Sequence, residues 1–127
     1  MKPSIPPPPT REDEALIRDY LLHRMLQMVL ERDIQIFKTL ELTMTNLYIL
    51  NLQHIIKRMS EPYWTIKQQI RQRGIRIESK SWTPEGEIQV LYLCRGYQRS
   101  LLCSWPPMKE ELKNRIISYL GTDLAAY

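Results

Sequence analysis

The chain has 127 residues, 43% of them hydrophobic and 25% charged, which is typical of one globular domain and leaves no room for two. Its formal net charge of +4 at pH 7 does not by itself indicate a nucleic-acid ligand, because charge must also be concentrated on one face. No positively charged start precedes an apolar run, and no apolar stretch nears the roughly 18 residues of a membrane span, so neither a secretory signal nor a membrane span is expected.

Residues 1–10 form a proline-rich segment that includes Pro6, Pro7, Pro8 and Pro9. Proline fixes φ and lacks a backbone donor, so the segment is expected to be an extended, disordered tail outside the core. The alternative is a ligand for a groove that reads Pro-x-x-Pro sequences.

A first helix is predicted to begin after residue 10 and to run to about residue 37. Thr10 fits its N-cap, and Glu12, Asp13 and Glu14 place negative charge at the positive end of the helix dipole. Apolar residues recur at helical spacing over a wide arc, which indicates a central helix covered on two sides or a helix that faces another subunit.

Two further helices are predicted before the middle of the chain. One is capped by Thr43 or Thr45 and runs to about Met59. The proline in Ser60-Glu61-Pro62 either starts a new helix over residues 61–73 or kinks a continuing one, and Gly74 ends it.

A β-hairpin follows, with strands over residues 75–82 and 87–95 joined by Thr83-Pro84-Glu85-Gly86. The second strand carries Leu91 and Leu93 opposite its other apolar face, so both faces are expected to be covered. Residues 98–105 fit either a loop or a third short strand, and a last helix is expected from Met108 to a stop at Gly121, before frayed residues 122–127.

The predicted fold class is therefore α+β, one domain over residues 11–121 with three or four helices packed with one antiparallel β-hairpin. Helix, helix, basic helix and hairpin is also the order of a winged helix. The expected core consists of apolar residues from every element: Leu21, Leu26, Val29, Leu52, Ile55, Ile66, Ile70, Val90, Tyr92, Leu112 and Ile116.

Positive charge is concentrated in the second half of the chain. Residues 11–37 contain four arginines and six acids, whereas residues 57–80 contain seven bases and two acids. This pattern predicts a nucleic-acid-binding surface, in which Gln68 and Arg71 read base edges and Lys67 and Lys80 hold phosphates. The candidate residues are Lys57, Arg58, Trp64, Lys67, Gln68, Arg71, Arg76 and Lys80. A solvated basic face on a structural helix explains the same residues.

The sequence favours a protein that is not an enzyme. Only four glycines are present, and none forms a phosphate loop. His23 and His54 lie on predicted helices, and Cys94 and Cys103 lack the spacing of a zinc site. No catalytic residue, metal or cofactor is therefore assigned, and both thiols are expected to be free in a reducing cytoplasm.

A protein-interaction or oligomerising regulatory module is the alternative function. It would use the apolar arc of the first helix or the exposed aromatics Trp64, Trp82 and Trp105. The partners considered are therefore a nucleic acid, another protein or a second copy of the chain, with no membrane.

Three stretches resemble the small YhjD-like proteins of spore-forming bacteria. They are Val29-Leu30-Glu31-Arg32-Asp33 at the end of the first helix, the stretch from Tyr92 to Gly96-Tyr97, and the closing helix over residues 115–120. The resemblance covers most of the chain and implies a bacterial cytosolic protein. It implies no activity and adds no site residues.

Overall fold

The computed structural model describes residues 5–120, which form three helices and one three-stranded sheet. Their order is α1 (Arg11–Phe37), α2 (Thr45–Gln72), β1 (Ile75–Trp82), β2 (Glu87–Cys94), β3 (Tyr97–Ser104) and α3 (Trp105–Leu120). The α+β class is confirmed, but the expected hairpin is a sheet of three strands. The predicted stop at Gly121 and the frayed residues 122–127 lie outside the described residues.

Helix α1 begins at Arg11, directly after the predicted N-cap, where Thr10 and Asp13 form a capping box. The backbone N–H of Asp13 donates to the Thr10 hydroxyl over 3.2 Å, and the backbone N–H of Thr10 donates to Asp13 Oδ2 over 2.8 Å. The predicted cap is confirmed. The helix was expected to be covered on two sides. This expectation is wrong toward its C-terminal end, where Met28, Val29 and Ile36 are exposed.

Helix α2 is continuous through Pro62, so the second and third predicted helices are one element of 28 residues. Ser60-Glu61-Pro62 was predicted either to start a new helix or to kink a continuing one, and in the structure the helix continues. No turn separates two helices there, so the order of elements predicted for a winged helix is not confirmed. The prediction of a threonine cap is wrong: Met44 is the N-cap, and the Thr45 hydroxyl instead accepts from the N–H of Leu42 in the preceding loop.

Gly74 ends the helical segment as predicted, with a φ of +69°. An added Cβ at this position would lie 3.1 Å from Cγ of Arg95. The carbonyl of Gly74 also accepts from the N–H of Arg95 over 2.9 Å. The turn after α2 is thereby joined closely to the turn after β2.

The sheet is antiparallel with strand order β1-β2-β3. Residues 97–104 are a full third strand, which resolves the ambiguity between loop and strand. On β2 one face carries Ile88, Val90, Tyr92 and Cys94, all buried. Leu91, on the opposite face, is exposed, so the expectation that both faces are covered is wrong there. Within residues 5–120, the helices pack on the face that carries Ile88, Val90, Tyr92 and Cys94.

A β-bulge in β1 changes which side chains share a face. Ile77 pairs with Tyr92, but the next partner, Leu91, pairs with Ser79 rather than Glu78. One residue is therefore inserted, and the alternation of side chains reverses after it. Arg76 shares the outer face with Leu93, whereas Lys80 is paired with Val90 of the core face.

The core is close to the predicted one. Eight predicted members are buried: Leu21, Leu26, Ile55, Ile66, Ile70, Val90, Tyr92 and Leu112. Leu52 and Ile116 pack against the core while half-buried. Val29 is exposed, so its assignment to the core was wrong.

Helix α3 begins at Trp105, before the two prolines that were expected to precede it. Prolines fit the first turn of a helix because their missing N–H has no intrahelical partner there. Trp105 lies edge-on to Trp82, with ring centres 5.7 Å apart, and so joins α3 to the end of β1. Within residues 5–120, no helix combines the length and apolarity needed to cross a membrane.

Candidate functional site

The carboxylate of Asp13, which is buried at the N-terminus of α1, accepts hydrogen bonds from three other residues. Its Oδ2 accepts from Arg95 Nη2 over 2.7 Å, and its Oδ1 accepts from Arg73 Nη1 over 3.1 Å. Arg73 caps the C-terminus of α2, and Arg95 occupies the turn between β2 and β3. One carboxylate therefore joins three elements that are far apart in sequence.

The surroundings of Asp13 favour its charged form. Hydrogen bonds from Arg95, and also from Thr10 and Arg73, hold the pKa of this carboxyl well below its ordinary value, although burial acts in the opposite direction. A carboxylate fixed as an anion between two guanidinium groups is a structural ion pair rather than a proton donor or acceptor.

Five of the eight predicted nucleic-acid-binding residues lie along one line of α2. Trp64 lies seven residues after Lys57, and Lys67, Gln68 and Arg71 lie three, four and seven residues after Trp64, which places all five on one side of the helix. Trp64 is 61% exposed. The Lys67 ammonium lies 5.3 Å from the centre of the Tyr63 ring, within range of a cation–π contact.

The other three predicted residues do not join this line. The Arg58 guanidinium donates to the backbone carbonyl of Tyr119 on α3. Arg76 and Lys80 are separated onto the two faces of the sheet by the bulge in β1. The eight residues therefore do not form one continuous basic surface, and only the α2 line remains as a candidate.

A second surface, which we call the apolar tip, surrounds the connection between α1 and α2. Its members are large apolar side chains that are each 42–48% exposed: Ile36, Leu40, Leu42, Met44, Leu47, Tyr48 and Leu50. The Thr45 hydroxyl fixes the connection by donating to the carbonyl of Leu42. The Tyr48 ring lies 5.5 Å from that of Phe37, so the end of α1 and the start of α2 are packed together.

The apolar tip is not among the interaction surfaces predicted from the sequence, which are the first helix and the tryptophans. A signal was present: residues 42–56 contain no Asp, Glu, Lys or Arg. A helix at a protein surface typically carries charged residues on its solvated face, and the first three turns of α2, residues 45–56, carry none. Charged residues of both signs flank the apolar tip in the sequence: Glu31, Arg32, Asp33, Lys38 and Glu41.

A cleft of about 750 Å³ lies between α1 and α3. Three basic and three acidic side chains line it: Glu12, Arg18, Asp19, Arg73, Glu111 and Arg115. Arg115 pairs with both Asp19 and Glu111, and Arg73 pairs with Glu12. These pairs neutralise most of the charge of the cleft, so it presents no single-sign cluster to a ligand.

The two cysteines are free and buried. Cys103 pairs with Ile88 in the sheet, six positions along β2 from Cys94, a separation of about 20 Å at roughly 3.3 Å per residue. This register rules out a disulfide within the chain. Burial raises the pKa of the Cys94 thiol, and the nearby Asp13 charge adds to that effect.

His23 is buried, and its Nδ1 has no hydrogen-bond partner within the described part of the chain. Burial, followed by the Arg115 charge, lowers the pKa of this histidine. His54 is exposed on α2. Among residues 5–120 there is no group of three or more His, Cys, Asp or Glu side chains that could hold a metal ion.

A comparison with protein families finds a match over most of the chain. The family described as YhjD protein matches residues 8–124. The chain belongs to the YhjD family. The resemblance seen in the sequence is thereby confirmed, and the match includes Asp13, its two arginine partners and the whole apolar tip. No curated protein and no solved structure gives a significant match. The family match brings no activity with it.

Proposed function

We propose that this YhjD-family protein is a non-enzymatic interaction module that self-associates through its apolar tip. The observation that carries the proposal is the exposure of seven large apolar side chains around a stretch without charges. Single exposed apolar residues are ordinary, whereas a contiguous apolar patch rimmed by polar groups is typical of a binding surface.

The composition of the tip supports a protein as the partner. Protein interfaces are depleted of charged residues at their centre and enriched in aromatic residues and Met. The tip has Tyr48 and Met44 among its aliphatic members and no charge from residue 42 to residue 56. A membrane-surface helix would instead carry many Lys and Arg residues on its polar face.

The charges around the tip support a second copy as that partner. The rim carries Glu31, Asp33 and Glu41 together with Arg32 and Lys38. A partner whose surface carried charges of one sign only would leave some of these residues without an opposite charge. A second copy related by a two-fold axis instead supplies both signs at reciprocal positions. Two helical hairpins packed through their apolar sides also form a four-helix bundle, a common arrangement for such elements.

Sedimentation equilibrium over a range of protein concentrations tests this proposal. The wild-type chain is expected to form a dimer as concentration rises. The variant Leu42→Lys/Leu47→Lys places charges in the interface and should remain monomeric, since a buried unpaired charge is strongly unfavourable.

The matched control for that experiment is Leu91→Lys/Leu102→Lys. These two leucines are also exposed, but they lie on the outer face of the sheet. The control variant should dimerise like the wild type. A wild-type chain that stays monomeric at all concentrations, or a control variant that is as disruptive as the tip variant, would contradict the proposal.

A nucleic-acid-binding role is the second candidate, and the exposed line on α2 favours it. Trp64 offers a face for stacking on a base, and Lys67 and Arg71 lie within one or two turns of it. Base stacking on aromatic side chains combined with phosphate contacts is the usual mode of binding single strands. The surface is narrower than the sequence predicted, because it excludes Arg58, Arg76 and Lys80.

Binding of a labelled single strand and a duplex at about 50 and 200 mM salt tests this role, since phosphate contacts weaken steeply over that interval. Charge reversal at Lys67 and Arg71 should abolish binding, while the equal charge change Lys109→Glu/Lys113→Glu on α3 should retain most of it. If both variants lose binding equally, the interaction is a general effect of net charge. Undetectable binding at the lower salt would reject the role.

A further inference from the structure

The proline-rich segment at the N-terminus is seated on the turn between β2 and β3. Tyr97 Oη donates to the carbonyl of Pro6 over 2.8 Å. Arg95 donates from Nε to the carbonyl of Pro7 over 2.9 Å and from Nη2 to that of Pro8 over 3.1 Å. The carbonyls of three successive prolines therefore accept hydrogen bonds from two side chains that lie about 90 positions further along the chain.

These contacts match the chemistry of a proline-rich ligand. A proline has no N–H, so its backbone offers only acceptors, and a receptor must supply donors. Arg and Tyr supply donors on side chains with a fixed planar group. Residues 5–9 are neither helix nor strand, and residues 5–8 are exposed apart from these hydrogen bonds. The segment thus lies on the surface as a ligand does.

The receptor side of this contact is held in place by groups outside the segment. Arg95 Nη2 also donates to the buried carboxylate of Asp13, and Nη1 donates to the backbone carbonyl of Arg73 over 2.8 Å. The Arg99 guanidinium lies 5.4 Å from the centre of the Tyr97 ring. Because the body of the fold orients both side chains, the donors remain positioned when the segment leaves.

We propose that Arg95 and Tyr97 form a recognition site for polyproline segments, which residues 6–9 occupy as an intramolecular ligand. The partner that fits it is an uncharged Pro-x-x-Pro segment supplied in trans, which displaces the chain's own prolines. This assignment is independent of the apolar tip. Polyproline segments are suited to such exchange, since they are already extended and lose little entropy on binding.

Covalent attachment gives the intramolecular ligand an effective concentration in the millimolar range. A peptide in trans must compete with it, so weakening the attached segment should strengthen binding of the peptide. The variant Pro7→Gly/Pro8→Gly does so because glycine adds conformational freedom that is lost when the segment docks. The substituted residues lie in an exposed segment outside the core, so the fold should be retained.

The experiment titrates the capped peptide Ile-Pro-Pro-Pro-Pro-Thr, the sequence of residues 5–10, into the full-length isotope-labelled chain. The shifts of the Gly96 and Tyr97 amide signals report occupation of the site. The glycine variant should bind the peptide about tenfold more tightly than the wild type, given the entropic effect of two Pro-to-Gly changes. A peptide with Ala in place of all four prolines serves as the control ligand and should bind more weakly to both chains.

Adding Tyr97→Phe to the glycine variant removes one donor and keeps the ring. Binding of the peptide should then weaken by about two- to tenfold, the usual effect of one hydrogen bond. Equal peptide affinity for the wild type and the glycine variant would overturn the proposal. So would the absence of shifts at millimolar peptide, or shifts that Tyr97→Phe leaves unchanged.

Discussion

Asp13 is a buried carboxylate whose two arginine partners lie 60 and 82 positions away in the sequence. The sequence predicted its role as part of the N-terminal cap, because a capping pattern is local. It could not predict the ion pairs, since these depend on where the end of α2 and the turn after β2 meet. Those long-range partners come from tertiary packing alone.

Replacing Asp13 by Asn should lower the free energy of unfolding by about 3 kcal/mol, because removing one member of a buried ion pair leaves its partners uncompensated. The matched control is Glu12→Gln. Glu12 also pairs with Arg73, but its side chain is 81% exposed, and loss of an exposed pair should change the value by less than about 0.5 kcal/mol. Urea unfolding measures both variants. Similar effects of the two substitutions would show that burial of Asp13 does not matter.

The pH dependence of stability follows from the lowered pKa of Asp13. The unfolded chain takes up this proton near pH 3.9, the ordinary value for Asp, and the folded chain only at lower pH. The stabilising contribution is therefore fully present above that pH and is lost as pH falls further, toward the folded pKa. The difference in unfolding free energy between wild type and Asp13→Asn should be constant from about pH 5 to 8 and shrink below about pH 4. A difference that grows on acidification would contradict this account.

At the scale of elements, the sequence predicted what local chemistry determines. The Thr10 cap, the stop at Gly74 and the turn around Pro84 were all predicted and are present. The sequence does not distinguish a loop from a third strand here, because Tyr97–Ser104 begins with polar residues and lacks a regular alternation. No local sequence pattern predicts the bulge in β1. Regular alternation would place Arg76 and Lys80 on the same face of the sheet, whereas the bulge places them on opposite faces.

Substitution of Pro62 tests directly whether helix α2 is continuous through this position. A proline inside a helix removes a backbone hydrogen bond and clashes with the preceding turn. Pro62→Ala should therefore raise the free energy of unfolding by about 1–3 kcal/mol. The neighbouring exposed substitution Glu61→Ala should change it by less than about 0.5 kcal/mol. If Pro62 began a separate helix, alanine at this position would instead be neutral or destabilising.

At the scale of the whole molecule, three helices cover one face of the sheet and leave two features outside the core. The outer face of the sheet exposes Leu91 and Leu102, which are scattered among polar residues. The apolar tip is larger and lacks charge over residues 42–56. The sequence predicted an interaction surface on the first helix and the tryptophans, because it does not show which apolar residues remain uncovered once α1 and α2 pack together.

The central claim is that two copies of the chain bury the apolar tip against each other. Amide hydrogen exchange at two protein concentrations, about 1 and 100 μM, measures this directly, because association protects the backbone that it covers. Exchange should be slower at the higher concentration for residues 36–52, while exchange in the outer strand β3 should be unchanged. Exchange that is independent of concentration throughout, or added protection in β3 instead, would contradict it.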